Sequence, residues 1–276
     1  MVSHIGTGVI VWEAVSGIVG TIIPILLLIF WKRKTNSKAF PAVVGAVIFV
    51  IFALAFESVP KFFLFSGTTS ASGYILTHTW AYVLTGCLLA GIFEECGRFV
   101  GFRFILKNSS QKETAITYGI GHGGMECIIM LGIGAVSAII LASTVNSGAI
   151  QSTIAALSDA QSASLESQIN VLSTYGAYYC LVGIWERIIA IAAHLSLSVL
   201  VFASIYENGR KYLFPAAILL HSLFDVPAVL YQRGVIGLIP TELILTAIVI
   251  CFCYFAYKLY QTMSSSPDVP RTGSAA

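Results

Sequence analysis

Long apolar segments constrain this chain more than any other feature of its sequence. Hydrophobic residues make up 57% of its 276 residues and charged residues only 10%, which is too little charge for the surface of a soluble globule. A backbone inside a bilayer must satisfy its own hydrogen bonds, so we predict an all-α, polytopic membrane bundle. The seven predicted spans are residues 8–31, 40–57, 74–106 (one span, with room for a break), 114–142, 173–205, 213–231 and 235–258.

Lysine and arginine are concentrated in alternate connections between these spans. Four follow the first span, four surround the end of the third, and two each follow the fifth and the seventh. The positive-inside rule places these connections in the cytoplasm, so we predict an N-terminus outside and a C-terminus inside. The predicted organisation is one transmembrane domain, residues 1–263, and a disordered cytoplasmic tail, residues 264–276. The predicted location of the protein is the bacterial plasma membrane.

The connection over residues 143–172 faces outside in this topology. Its apolar residues Ile150, Ile154, Leu157 and Leu165 are spaced to form one stripe of a helix. We interpret the connection as an interfacial helix or a flexible loop, and a lid over an opening in the bundle is the alternative.

Ionisable side chains inside membrane spans are costly and mark functional sites by default. Glu94 and Glu95 in the third span point about 100° apart on a helix. Arg98 lies within one turn of both and can pair with either. We predict that one carboxylate is held ionised by Arg98 while its neighbour faces a cavity. The alternative is a helix end at the membrane surface.

The fourth span carries His122 and Glu126 on one helix face, four residues apart. Four glycines within residues 119–124 allow another backbone to approach closely, whether that of a neighbouring helix or of an extended substrate. Tight helix packing around a hydrogen-bonded histidine is the alternative interpretation.

Two later spans repeat the pairing of a histidine with a polar residue four positions on. His194 is followed by Ser198, and His221 by Asp225. We predict that Asp225 orients the ring of His221. Glu186, nearer the outer side, has either a structural or a functional role. The alternative for His194 is a core histidine bonded to a hydroxyl. The alternative for His221 with Asp225 is a structural polar pair at a helix crossing.

The candidate residues on the four helices share a similar depth in the membrane. On the predicted boundaries, Glu94, His122, His194 and His221 lie roughly 12–18 Å from the cytoplasmic ends of their helices. We therefore predict that they converge on one pocket toward the cytoplasmic side.

Three histidines and two or more carboxylates suit the hydrolysis of a peptide bond by either of two routes. They can bind a divalent metal such as zinc and activate water, with His122, His194, His221 and Glu94 as candidate ligands. A desolvated carboxylate can instead act as general base, with histidines stabilising the oxyanion. The spacing of the residues leaves both routes open.

Two runs carry a family resemblance. Phe-Glu-Glu-Cys-Gly-Arg at 93–98 and Gly-Ile-Gly-His-Gly-Gly-Met-Glu at 119–126 resemble the YhfC family of intramembrane metalloproteases. With the later span histidines, they also resemble the CAAX-protease and bacteriocin-processing superfamily. Two departures separate the chain from the CAAX enzymes. Arg98 makes EExxR where they have EExxxR, and Ser198 and Asp225 follow histidines where they have Asn.

The resemblance implies an intramembrane protease. In it, Glu94 or Glu95 activates water, and His122, His194 and His221 bind metal or stabilise the oxyanion. From their positions in the spans, the residues predicted in supporting roles are Arg98, Glu126, Asp225, Ser198 and Glu186.

The leading hypothesis is an intramembrane endopeptidase. Its partners would be the lipid bilayer and a membrane-embedded or membrane-associated peptide or protein substrate, and zinc is the one cofactor considered. A net charge of +2 without a basic surface predicts no nucleic-acid partner. The alternative is a proton- or cation-coupled transporter or channel that uses the same polar set. A third hypothesis is a non-catalytic scaffold or immunity protein.

Overall fold

The computed structural model describes residues 4–263, and no strand occurs among them. This confirms the predicted all-α polytopic fold. The predicted tail, residues 264–276, lies outside the described residues. The helices are α1 (Thr7–Thr35), α2 (Phe40–Phe49), α3 (Ser58–Leu64), α4 (Ser70–Thr77), α5 (Thr79–Val100), α6 (Glu113–Cys127), α7 (Gly134–Asn146), α8 (Ile150–Ala155), α9 (Asp159–Ser173), α10 (Ala177–Tyr206), α11 (Leu213–Gln232) and α12 (Leu238–Thr262).

Six helical stretches are long and apolar enough to cross a membrane, and a seventh candidate is broken. The six are α1, α2 with α3, α6 with α7, α10, α11 and α12. The broken candidate is α4 with α5, which meet at His78 with a bend of 105°. Each predicted span overlaps one of these stretches, and the third span does contain a break. The chain is therefore an integral, multi-pass membrane protein, while the orientation of its termini stays a prediction.

Three spans change from α-helix to π-helix partway along. The π segments are Val50–Phe56 after α2, Gly101–Ile105 after α5 and Ile128–Ile133 after α6. A π turn rotates the residues that follow it relative to the preceding helix and is frequent at functional sites. Two of the three directly follow helices that carry predicted site residues.

The chain divides into two compact units. Unit 1 comprises residues 1–25 and 127–188, and unit 2 comprises residues 26–126 and 189–276. The chain passes between them within α1, at the end of α6 and within α10. The single domain predicted over residues 1–263 stays a prediction.

Unit 2 is organised around α10 and α5. The consecutive residues Val201, Phe202 and Ala203 of α10 are all buried, so this part of the helix has no exposed face. Helix α5 packs along α11 and against α2. These helices carry most of the ionisable residues predicted to form a site.

Unit 1 has a small apolar core of its own. Ile5, Ile150 and Ile169 are buried within it, and Ile154 and Leu165 pack against it. The side chain of Asn146 bonds both backbone groups of Ile5, accepting from its N–H at 2.6 Å and donating to its carbonyl at 3.0 Å. Residues 143–172 thus form helices, but the single predicted stripe is divided, because Leu157 lies in the break between α8 and α9. The lid role stays a prediction.

Candidate active site

Glu94 and Glu95 differ sharply in surroundings although they are adjacent on α5. The side chain of Glu95 has no exposed surface, whereas that of Glu94 is 11% exposed. The Nε–H of Arg98 donates to Oε2 of Glu95 at 3.0 Å. Of the two pairings that the sequence left open, the structure shows Arg98 with Glu95, and Glu94 is the more exposed of the two carboxylates.

Arg98 is fully buried and joins α5 to α10. One Nη donates to the carbonyl of His194 at 2.9 Å and to Oγ of Ser198. The other Nη lies 3.1 Å from Nδ1 of His194. A guanidinium only donates, so Nδ1 is the acceptor and the ring proton of His194 sits on Nε2. That Nε2–H donates to Oε2 of Glu126 at 2.6 Å.

His221 of α11 is oriented from α5. Its Nδ1 is bonded to Oε1 of Glu95 at 2.7 Å, while Oδ2 of Asp225 lies 3.8 Å from Nε2. Glu95 crosses from the neighbouring helix and makes the shorter contact with the ring, and the orienting role of Asp225 stays a prediction. Nε2 of His221 is left facing Oε2 of Glu94 at 3.9 Å.

His122 of α6 meets Glu94 directly. Its Nε2 lies 3.0 Å from Oε2 of Glu94, and its buried Nδ1 has no hydrogen-bond partner among the described residues. The rings of His122 and His194 have centroids 4.9 Å apart, and those of His194 and His221 lie 5.5 Å apart. The predicted convergence of residues from four helices is thus present in the structure.

Glycines bring α6 against its neighbours. A Cβ at Gly121 would lie 1.9 Å from the carbonyl oxygen of Ala42, and one at Gly45 would lie 2.3 Å from that of Tyr118. On another side, a Cβ at Gly123 would lie 3.0 Å from Cβ of His194. The close approach predicted from the glycine run is therefore made to two helices, α2 and α10, and it places His122 beside His194.

Sequence reasoning missed Glu57, which joins the π segment Val50–Phe56 to the first residue of α3. Its side chain is 3% exposed and pairs with Nζ of Lys61 at 2.5 Å. Glu57 also interacts electrostatically with Glu94, His221 and Asp225. The available signal was a lone acid after a long apolar run, a pattern that is ordinary at the end of a span.

Glu186 is the predicted site residue that the structure does not bring to this cluster. It belongs to unit 1, where it pairs with the guanidinium of the adjacent Arg187. Its predicted supporting role stays a prediction.

Glu94, His122 and His194 form the one group of potential metal ligands among residues 4–263. One ligand atom from each lies within 4.8 Å of the others, whereas two ligands of one tetrahedral zinc lie about 3.4 Å apart. A small closing movement would complete the set, and two imidazoles with a carboxylate are an ordinary zinc donor set. His221, also a predicted candidate ligand, is not part of this group.

The charge balance of the cluster also suits a cation. Five carboxylates interact there, and two side chains carry a permanent positive charge. Buried charges persist in proteins when they are paired or when they coordinate a metal. The residues present therefore suit a divalent metal in charge and in residue type, but His194 could serve as a ligand only after releasing the hydrogen bond that its Nδ1 accepts from Arg98. The carboxylates are Glu57, Glu94, Glu95, Glu126 and Asp225, and the cations are Lys61 and Arg98.

Fold and site together define a class: a polytopic membrane protein with a buried glutamate–histidine cluster suited to binding a metal or activating water. The profile described as YhfC intramembrane metalloprotease matches residues 19–249. The chain belongs to that family, as the two sequence runs predict.

A named relative supports this assignment. The chain is 37% identical over 227 residues to the "Uncharacterized membrane protein YhfC" of Bacillus subtilis (strain 168), an alignment covering 82% of this chain and 86% of that protein. No solved structure matches the chain. The link to the wider CAAX-protease superfamily stays a prediction.

Proposed function

We propose that the protein is an intramembrane endopeptidase that hydrolyses a peptide bond of a membrane-embedded or membrane-associated substrate. The observation that carries the proposal is the hydrogen bond between Glu94 and His122, made inside a cluster that Arg98 and Glu95 hold in place. The family name, intramembrane metalloprotease, supports the same reaction class.

The two glutamates take different roles in this proposal. Glu94 is partly exposed and paired only with histidines, so it accepts the proton of the attacking water. Glu95 has both oxygens engaged, one by Arg98 and one by His221. It acts by positioning His221, whose Nε2 faces Glu94. His194 presents an Nε2–H whose partner, Glu126, is 19% exposed, so this donor can turn to a developing oxyanion.

A metal in this site would be held by Glu94, His122 and His194. When bound, it would lower the pKa of a coordinated water and polarise the scissile carbonyl. The ring nitrogen of a metal-bound histidine that faces away from the metal usually donates to an acceptor. Nδ1 of His194 instead faces the donor Arg98, which opposes metal binding by His194. His122 has no such conflict, because its Nδ1 is unpaired among the described residues. The test of this part of the proposal compares the metal content of the purified wild-type protein with that of His122→Ala. A stoichiometric metal that is lost in the variant is the expected result.

The test of the reaction is proteolysis in a membrane. Proteoliposomes holding the full chain and a library of single-span peptides are analysed by mass spectrometry for new termini. Glu94→Gln should lower cleavage by at least about 100-fold, because a general base contributes on the order of 10²–10⁴ to the rate. Glu186→Gln in unit 1 is the matched control and should cleave normally.

Two outcomes would overturn the proposal. One is full cleavage by the Glu94→Gln, Glu95→Gln double variant. The other is equal loss of cleavage and of thermal midpoint in every variant of the cluster, which would assign the residues to packing.

A proton-coupled transporter is the second candidate, favoured by the pairing of carboxylates with histidines. The pairs are Glu126 with His194, Glu94 with His122 and Glu95 with His221, and proton relays use residues of these types. Proton flux in liposomes, abolished by Glu95→Gln in the absence of any cleavage, would establish this function instead.

A further inference from the structure

A second feature of unit 2 is a groove of about 480 Å³ among four helices. Its walls come from the last turns of α1 and α12, the first turn of α6 and the middle of α10. The residues that line it are Trp31, Lys34, Thr35, Ile116, Ala192, Leu195, Ser196, Val199, Cys253, Ala256, Tyr257, Tyr260 and Gln261.

The groove has an apolar length and a polar mouth. The apolar part runs along α10 from Ala192 to Val199 and along α12 from Cys253 to Ala256. The seven helical steps from Ala192 to Val199 rise about 10 Å. The mouth is formed where α1 and α12 end, by residues such as Lys34. This division matches a molecule with an acyl chain and a polar headgroup.

The charge at the mouth is positive. Nζ of Lys34 is exposed, lies 5.8 Å from the ring centroid of Phe30 and meets no carboxylate among residues 4–263. Nζ of Lys112 lies over the ring of Tyr260 at 4.9 Å. Within residues 4–263, the acid recorded in contact there is Glu113, which accepts a hydrogen bond from Tyr260 at 3.4 Å. Two lysines against one glutamate leave a net positive charge.

Trp31 adds an unmet donor. Its ring lines the groove, and its buried Nε1–H has no acceptor among the described residues. A buried donor without a partner costs on the order of 1–3 kcal/mol. The phosphate and ester oxygens of a lipid are acceptors of the kind this donor needs, and tryptophan is enriched at this level of membrane proteins.

We propose that this groove binds one anionic phospholipid, with an acyl chain between α10 and α12 and the phosphate beside Lys34. The three helix ends at the mouth adjoin the connections whose lysines and arginines predict a cytoplasmic location. Basic pockets between spanning helices on that side recognise anionic headgroups. The site does not depend on the peptidase proposal, because none of its lining residues belongs to the glutamate–histidine cluster.

The experiment measures lipid binding to the purified full chain by native mass spectrometry. Dioleoyl phosphatidylglycerol and dioleoyl phosphatidylcholine are titrated in parallel, and one phosphatidylglycerol per chain should be retained in preference to phosphatidylcholine. Lys34→Gln should weaken phosphatidylglycerol binding about fivefold, since one lysine near an anionic lipid contributes about 1 kcal/mol. It should leave phosphatidylcholine binding unchanged.

Lys258→Gln is the matched control. Lys258 lies near the same end of α12, with Nζ 5.6 Å from the ring centroid of Tyr254, and does not line the groove. Equal binding of the two lipids, or equal effects of the two lysine variants, would overturn the proposal. Competition by glycerol phosphate as strong as that by the whole lipid would also overturn it, because the groove would then recognise only an anion.

Discussion

The two units of this protein are stabilised by different kinds of buried side chain. Unit 2 buries Glu95 and Arg98 completely and bonds them to each other and to histidines. Unit 1 buries aliphatic residues such as Ile5 and Ile169, and its Glu186–Arg187 pair stays partly exposed. A buried ion pair is rarely the most stabilising choice for a site. On the proposed function, we infer that unit 2 retains its charges for chemistry, whereas unit 1 supplies apolar packing.

The strongest test of this contrast is Arg98→Met. It leaves Glu95 buried without its cation, so we expect the free energy of unfolding to fall by about 3–5 kcal/mol. Arg103→Met is the control, because Arg103 is exposed and its replacement should change stability little. Thermal and denaturant unfolding in detergent measure both variants. A similar small effect of the two would contradict the role given to Arg98.

The next effect concerns the helix contact that holds His122. Gly121→Ala would put a Cβ 1.9 Å from the carbonyl oxygen of Ala42, so α2 and α6 must separate. We expect a loss of about 1–3 kcal/mol, typical of overpacking, together with loss of cleavage. Gly73→Ala on α4 is the control, since no atom lies within 4 Å of a Cβ there. Normal cleavage by Gly121→Ala would show that the spacing of these helices is not critical.

Unit 1 should respond differently. Asn146→Ala removes both hydrogen bonds to the backbone of Ile5 and should cost about 1–2 kcal/mol. Cleavage per folded molecule should stay normal, because the glutamate–histidine cluster belongs to unit 2. The control is Asn170→Ala, at an exposed position of α9. A selective loss of activity in Asn146→Ala would break the division of roles between the units.

The smallest effect is expected at Glu186. Its partner Arg187 is adjacent in the chain and the carboxylate is partly exposed, so Glu186→Gln should change stability by less than about 0.5 kcal/mol. Unfolding measured at low and at high salt checks this expectation. A change above about 1 kcal/mol would place this pair among buried networks like that of Arg98.

Hydropathy predicted the spans well because a membrane helix needs a long apolar run whatever its neighbours are. It also allowed for the break at His78. The π-helical continuations, such as Gly101–Ile105, were not predictable, because their residues are as apolar as those of an α-helix.

The contents of the cluster were predictable, but the partners within it were not. Sequence spacing relates residues on one helix, so it indicated that Arg98 could pair with Glu95 and that Asp225 lies near His221. The bond from Glu95 to His221 joins two helices, and no spacing rule encodes it. Glu57 escaped notice for a similar reason, since only the folded chain shows that its side chain is buried.

The reciprocal glycine contact between α2 and α6 has a mechanical consequence. Each helix sets a carbonyl oxygen into the gap that a missing side chain leaves on the other, so neither can roll about its axis without a collision of main chains. The position of His122 is therefore fixed by the contact of α6 with α2. A movement that admits the proposed polypeptide substrate to the glutamate–histidine cluster would therefore involve helices other than α2 and α6.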